Sequence, residues 1–150
     1  MKEEQRKIIC DTAISLIGIP YVYGAYIEKE AHNPKGFDCS SFTQFVFKKA
    51  GITIPRSSIL QAGDKQASEV AYQDESTLLP GDLLFTRGTQ GHYNDELFDG
   101  REVYVGHVII YIGDGEVIHA KGGTENKVVR ETLNEMLSRK GFQIVMVKRY

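Results

Sequence analysis

Apolar positions recur at helical spacing over residues 3–18, where Ile9, Ala13, Leu16 and Ile17 share a face and Cys10 and Ile14 lie beside it. Gly18 and Pro20 end this helix. Cys10, next to the stripe, reads as packing, the usual place of a free cysteine. Residues 19–37 are rich in Tyr, Gly and Pro and show no period, so they read as irregular. A second helix is predicted over 39–50. Asp38 stands where a carboxylate can accept from the free amides of the first turn, and Gly51 where a helix stops. Cys39, Phe42, Val46 and Ala50 form one stripe with Phe45 beside it, so the thiol points with the apolar side. A short third helix follows Pro55 over 57–62.

From Pro80 the period changes from helical to two. Strands are predicted over 82–87, 103–112, 116–121, 127–131 and 142–149, with a short helix over 132–139. Gly113-Asp114-Gly115 is a tight turn between two of them. Residues 88–102 form a long polar loop, the kind that serves as a binding loop, a lid or a mobile insertion. Helices first and antiparallel strands after predict an α+β arrangement, with the N-terminal helices packed on a five- to six-stranded antiparallel sheet.

Composition narrows this picture. The length of 150 residues predicts one domain over 1–150. Hydrophobic residues make up 41% and charged residues 25%, as in soluble globular chains. The net charge of −2 and pI near 6.1 come without a basic stripe, so no nucleic-acid partner is expected. No apolar run approaches the ~18 residues of a membrane helix, and no membrane partner is expected. The charged N-terminus, Met1 to Lys7, has no apolar stretch behind it and does not read as a secretory signal. Two cysteines, Cys10 and Cys39, are too few for a disulfide scaffold, and a bridge between them would consume the more interesting thiol.

That thiol is Cys39, at a helix start in Gly36-Phe37-Asp38-Cys39-Ser40-Ser41-Phe42. Its free value of ~8.5 leaves little thiolate at neutral pH. The amides and dipole of the first turn, and a nearby imidazolium, can lower it, and the same amides can serve an oxyanion. Asp38 works against the thiolate unless it is paired or turned away. His107 lies on a strand face with Val105, Ile109 and Tyr111, and His119 lies in the next strand. If the turn pairs Ile112 with Glu116, Ile109 opposes His119 and His107 becomes its diagonal neighbour. Diagonal Cβ atoms are about 7–8 Å apart or less, within reach of two rings. A slip of one residue would put the rings on opposite faces. A thiol and two imidazoles have the parts of a cysteine nucleophile, its base and a group that orients the base. Cys39, His107 and His119 could also hold a metal, but no CxxC or HxxxH spacing supports that, and no cofactor is expected. His32 and His92 sit in polar loops and read as solvated.

At these residues the chain resembles the NlpC/P60 family of cell-wall cysteine peptidases, from about Ile9 to Ile144. Gly18-Ile19-Pro20-Tyr21-Val22-Tyr23-Gly24-Ala25 is similar to the family's G-x-P-Y-x-W-G-G segment, and Phe37-Asp38-Cys39-Ser40-Ser41-Phe42 to its F-D-C-S block. Pro55-Arg56-Ser57-Ser58 with Gln61, Leu79-Pro80-Gly81-Asp82-Leu83-Leu84-Phe85, Gly106-His107-Val108-Ile109-Ile110-Tyr111-Ile112-Gly113 and Val117-Ile118-His119-Ala120 resemble four further blocks in the same order. The resemblance implies a papain-like fold, with Cys39 as nucleophile, His107 as base and then acid, and His119 as the group orienting His107. It also implies that Tyr21 lies beside the thiol and that Asp38 and Ser40 line the substrate cleft. Asp38 either grips the free amine of a stem peptide or serves only as the N-cap. Arg56 either meets a substrate carboxylate or forms a salt bridge.

The implied function is hydrolysis of a peptide amide in peptidoglycan, typically from γ-D-glutamate to a diamino acid, through a thioester acyl-enzyme. The partner is then a stem peptide or muropeptide. The expected place of action is the bacterial cell wall, with cytoplasmic muropeptide recycling as the other location. The chain departs from the pattern at Tyr23 and Ala25, which replace tryptophan and glycine, and in longer segments at 26–35 and 86–105. Two rivals remain open: a thiol acyltransferase or amidase on another substrate, and a phage-tail or secretion component that binds wall fragments without cutting. Oligomeric state is not legible.

Overall fold

The computed structural model describes residues 1–25, 34–88, 92–93 and 97–150. The elements run α1 (Glu3–Ser15), α2 (Cys39–Lys49), α3 (Ser58–Ala62), β1 (Ser68–Glu69), a 3-10 turn (Glu75–Thr77), β2 (Leu83–Thr86), β3 (His92–Tyr93), β4 (Tyr104–Val105), β5 (His107–Gly113), β6 (Glu116–Lys121), β7 (Lys127–Thr132), α4 (Leu133–Leu137) and β8 (Ile144–Arg149). Six strands form one antiparallel sheet in the order β1-β8-β2-β5-β6-β7, and β3 pairs with β4 apart from it. This is the expected α+β arrangement.

Strand alternation sorts the core into two layers. On one face Leu83, Phe85, Val108, Ile110, Ile118 and Ala120 meet Ile9 and Ala13 of α1 and Phe42, Val46 and Phe47 of α2. On the other, Leu84, Ile109, Tyr111, Val117 and Val147 meet Leu133 and Met136 of α4. With both faces covered, all four residues of β2 are buried. The N-terminal helices therefore cover one side only, and α4 covers the side on which the odd-numbered residues of β5 and β6 point.

Several boundaries differ from the sequence expectation. The first helix stops at Ser15 rather than residue 18, because the chain must turn through Gly18 (φ +93°) to place the Gly18 amide on the Val128 carbonyl at 2.9 Å. Ile17 consequently leaves the buried face and is 42% exposed. The strand expected over 103–112 divides at Gly106: β4 pairs with β3, whereas β5 pairs with β2 and β6. The supposed Ile112–Glu116 pair does not form. A bulge at the turn sets Gly113 opposite Glu116, and the ladder then resumes as Tyr111↔Val117 and Ile110↔Ile118. That restores the register on which the two histidines share a face.

The stretch after α1 is extended in part. The Tyr21 amide donates to the Asn126 carbonyl (2.9 Å) and the Val128 amide to the Ile19 carbonyl (2.8 Å), so residues 18–21 run along the open edge of β7. On its other side, Val22 and Phe37 exchange backbone bonds with this segment: Val22 N–H to Phe37 O at 2.8 Å and Phe37 N–H to Pro20 O at 3.0 Å. Residues 26–33, His32 among them, and much of the loop 88–102 lie outside the described residues.

Phe37 is fully buried, with its ring 5.6 Å from Phe42 and 5.5 Å from Phe45, and it delivers the chain to Asp38 and Cys39. Phe37→Ala should lower the unfolding free energy by about 3–5 kcal/mol, read from denaturant midpoints. A loss below about 1 kcal/mol would show that this aromatic cluster does not anchor the start of α2.

Candidate active site

Cys39 is the first residue of α2 and is half-buried. Asp38 precedes it as N-cap, Oδ1 accepting from the Ser41 amide at 2.8 Å, while the Ser41 hydroxyl accepts from the Asp38 amide at 2.9 Å. Asp38 Oδ2 accepts from Arg56 Nη2 at 2.8 Å. The same guanidinium donates to the Ala25 carbonyl (2.7 Å) and, through Nη1, to Ser40 Oγ (2.8 Å). Burial works to raise the Asp38 carboxyl, but the Arg56 and Ser41 bonds outweigh it and hold the group below its usual value. The negative charge beside the thiol is therefore paired. Gln61, fully buried, donates to the carbonyls of Ser40 (3.1 Å) and Pro55 (2.7 Å) and accepts from Thr43 Oγ1 (2.8 Å), which pins the first turn of α2 from below.

The two histidines meet as the register requires. His107 Nε2 lies 2.7 Å from His119 Nδ1, with ring centroids 5.0 Å apart. His119 is fully buried, and its Nε2 lies 2.7 Å from Glu131 Oε2 of β7. Arg139 grips both oxygens of Glu131 at 2.6 Å each. Phe142 closes over the pair, 5.7 Å from the His107 ring and 6.0 Å from the His119 ring, and the Arg139 guanidinium lies over it at 4.8 Å.

Cys39 belongs to the layer with α2, and the histidine rings to the layer with Phe142. What joins them is a lapse in the sheet. The β5–β6 ladder ends at Ile110↔Ile118, whereas β6 stays paired with β7 as far as Lys121↔Lys127. Beyond Ile110 the Val108 amide has no strand partner on that side, and it favours the charged form of the Cys39 sulfur instead. The thiol thus reaches β5 at the residue next to His107.

The electrostatics differ from the sequence expectation. Burial pushes the Cys39 thiol up to about 11; the amides of Val108, Ser40 and Cys39 itself pull the other way without overcoming it. Burial likewise holds His107 well below 6.5, with the positive charges of a protonated His119 and of Lys121 adding to the effect. His119 is lowered by burial too, opposed by Glu131. Burial thus favours the neutral thiol and the neutral imidazole, against the thiolate that the helix dipole favours.

Tyr21 is half-buried and packs its ring on Gly122, where a Cβ would stand 3.3 Å from Cε1. Burial, then the nearby Cys39 and Asp38 charges, raise its phenol, so it keeps its proton and can donate. Ser40 is buried and engaged by Arg56. Glu131, Arg139 and Phe142 were not foreseen. Glu131 was findable, because it stands diagonal to His119 on the same face of β7 (His119↔Val129, Val117↔Glu131). Nothing in the sequence points to Arg139. Among the described residues, no cluster of His, Cys, Asp and Glu could hold a metal ion.

A helix that begins at a thiol, packed on an antiparallel sheet that carries paired imidazoles, defines a papain-like architecture. Residues 18–147 match the NlpC/P60 family, and the chain belongs to it. It is 36% identical over 112 residues to a gamma-D-glutamyl-L-lysine dipeptidyl-peptidase of Bacillus cereus, a match covering 75% of this chain and 27% of that protein. It is 36% identical over 109 residues to the bifunctional muramidase/DL-endopeptidase CwlT of Bacillus subtilis, covering 72% of this chain and 27% of that one. The chain thus spans about a quarter of the length of these relatives. A crystal structure of an NlpC/P60 family protein from Bacillus cereus superposes with a TM-score of 0.67 at 31% identity, covering 97% of this chain and 40% of that one.

The depressed imidazoles set a pH dependence of stability. An unfolded histidine takes up a proton below about 6.5, while the folded rings resist it, so stability is full above that pH and falls as the pH drops. The melting temperature should therefore decline from pH 6.5 to 5, and this part of the decline should flatten in a His107→Asn, His119→Asn double variant. An unchanged decline in that variant would assign it to other groups.

Proposed function

We propose that this chain is a cysteine peptidase that cuts a peptide amide in peptidoglycan stem peptides, at the bond from γ-D-glutamate to a diamino acid, and that it works on cell-wall material. The observation carrying this reading is the Cys39 sulfur at the Val108 amide, one residue along β5 from His107, whose ring meets His119. The names of the two relatives, a γ-D-glutamyl-L-lysine peptidase and a DL-endopeptidase, support the choice of bond.

In this reading His107 Nε2 is engaged by His119, so Nδ1 is the atom left for the thiol proton. The ground state holds both groups neutral. As the sulfur attacks the carbonyl carbon, its proton passes to His107. The oxyanion forms at the start of α2, where backbone amides and the Tyr21 hydroxyl can donate. His107 returns the proton to the departing amine, leaving a thioester. Water, deprotonated by His107, then attacks the thioester carbonyl; collapse of that intermediate breaks the C–S bond, and the thiol regains its proton. His119 orients His107 throughout. Asp38, Ser40 and Arg56 act as one tie that holds the rim of the cleft, because both Nη atoms of Arg56 are used within the protein. Tyr21, close enough to Cys39 and Asp38 for its phenol to feel their charge, is the side chain left to meet an incoming peptide.

Cys39→Ala should abolish fragment release from purified peptidoglycan, followed by mass spectrometry of the muropeptides, without altering the circular dichroism spectrum. Full activity in Cys39→Ala would remove the mechanism, and product that forms only with an added amine or lipid acceptor would make the chain an acyltransferase. Because burial favours the neutral thiol, iodoacetamide should alkylate Cys39 slowly at pH 6 and steadily faster towards pH 10. A rate that is already fast and flat below pH 6 would mean a preformed thiolate.

A further inference from the structure

Glu131 is the last acceptor in the line that runs from His107 through His119. Its side chain is 10% exposed, and both its oxygens are held by Arg139. An ionised carboxylate in that clamp can only accept. The partner atom, His119 Nε2, must then carry the proton. A neutral imidazole has one N–H, so His119 Nδ1 is bare and can only accept. Its partner at 2.7 Å, His107 Nε2, must therefore be the donor, which leaves His107 Nδ1 with a free lone pair. The direction of every hydrogen bond in the line follows from the charge at its far end.

We infer that Glu131, clamped by Arg139, is a positioning residue that sets the tautomers of both histidines and so makes His107 Nδ1 a base. The inference rests on the Cys39 and His107 reading given above. Without the carboxylate the line can reverse. A donor at position 131 would place the His119 proton on Nδ1 and the His107 proton on the nitrogen meant to receive one from sulfur. Glu131 stays ionised throughout, since burial raises its carboxyl but the His119 and Arg139 bonds bring it down to about 2. It therefore also steadies, through His119, the positive charge that His107 gains in the transition state. No proton reaches the carboxylate, and none is needed there.

The charged groups acting on the two rings are Lys121 from β6, Glu131 from β7 and Arg139 from beyond α4, with the Phe142 ring over both. Lys121 and Arg139 disfavour a charged imidazole, and Glu131 alone favours it. Its removal should shift the acid limb of kcat/KM downwards in pH while lowering kcat itself.

The test is direct. Long-range 1H–15N spectra of the full chain, labelled with 15N-histidine, report which ring nitrogen carries the proton. At pH 7.5 the wild type should show His107 and His119 both protonated at Nε2. In Glu131→Gln that preference should be lost, with kcat on muropeptides down about 10²–10⁴-fold and KM little changed, the scale seen when a histidine is held in the wrong tautomer. Glu131→Asp, which keeps a carboxylate, should recover part of the loss. Wild-type spectra with the His119 proton on Nδ1 would overturn the inference without any variant, so a Glu131→Gln protein that fails to fold does not protect it. Unchanged tautomers and a kcat within threefold of wild type in Glu131→Gln would overturn it as well. Activity surviving in Cys39→Ala would instead defeat the peptidase reading, which the spectra do not test.

Discussion

The structure depends on a sheet that stops pairing at the right residue. Side chains on a strand alternate between faces, so a thiol from a helix on one face cannot meet an imidazole on the other through an intact ladder. Here β5 and β6 pair only as far as Ile110↔Ile118. The next amide, Val108, is released from its neighbour strand and serves the sulfur, one residue from His107. A backbone donor left unpaired in a buried sheet would be unfavourable by about 1–3 kcal/mol, and the sulfur is what relieves it.

Most polar groups around that gap are satisfied in chains rather than in isolated pairs, although Thr86 Oγ1, opposite His107, and Arg139 Nε are buried without a hydrogen-bond partner. One chain runs His107–His119–Glu131–Arg139, the other Gln61–Ser40–Arg56–Asp38. Each ends in a carboxylate matched to a guanidinium, so neither leaves a net charge beside the thiol. Buried networks of this kind stabilise only when every member has its partner, and they make the arrangement of the members highly specific. The apolar layers then do the rest: Phe37, Phe42 and Phe45 fix where α2 begins, and Phe142 packs edge-on against both imidazoles.

Much of this was legible in the chain itself because it is local or periodic. Asp38 as N-cap follows from helix-end chemistry, and the shared face of His107 and His119 follows from a period of two once the strands are aligned. Even the misplaced Ile112–Glu116 pair did no harm, since the bulge absorbs one residue before the histidines are reached. What could not be read depends on contacts between distant elements. The state of the thiol turned on burial, which outweighed the dipole visible at the helix start. Arg56 had two open roles until Asp38 and Ala25 were seen to use it. Arg139 follows a five-residue helix on the far layer, and no spacing connects it with Glu131.

The tie at Arg56 has a consequence for how such a domain can diversify. One guanidinium holds the Ala25 carbonyl, where the chain leaves for residues 26–33, and the carboxylate beside the thiol, soon after it returns. Both ends of that excursion are thus moored independently of what lies between them. Because the entropy of closing a loop grows only slowly with its length, insertions there should burden the fold little. The stretch of chain between those two points can change in length while the tie itself is left undisturbed.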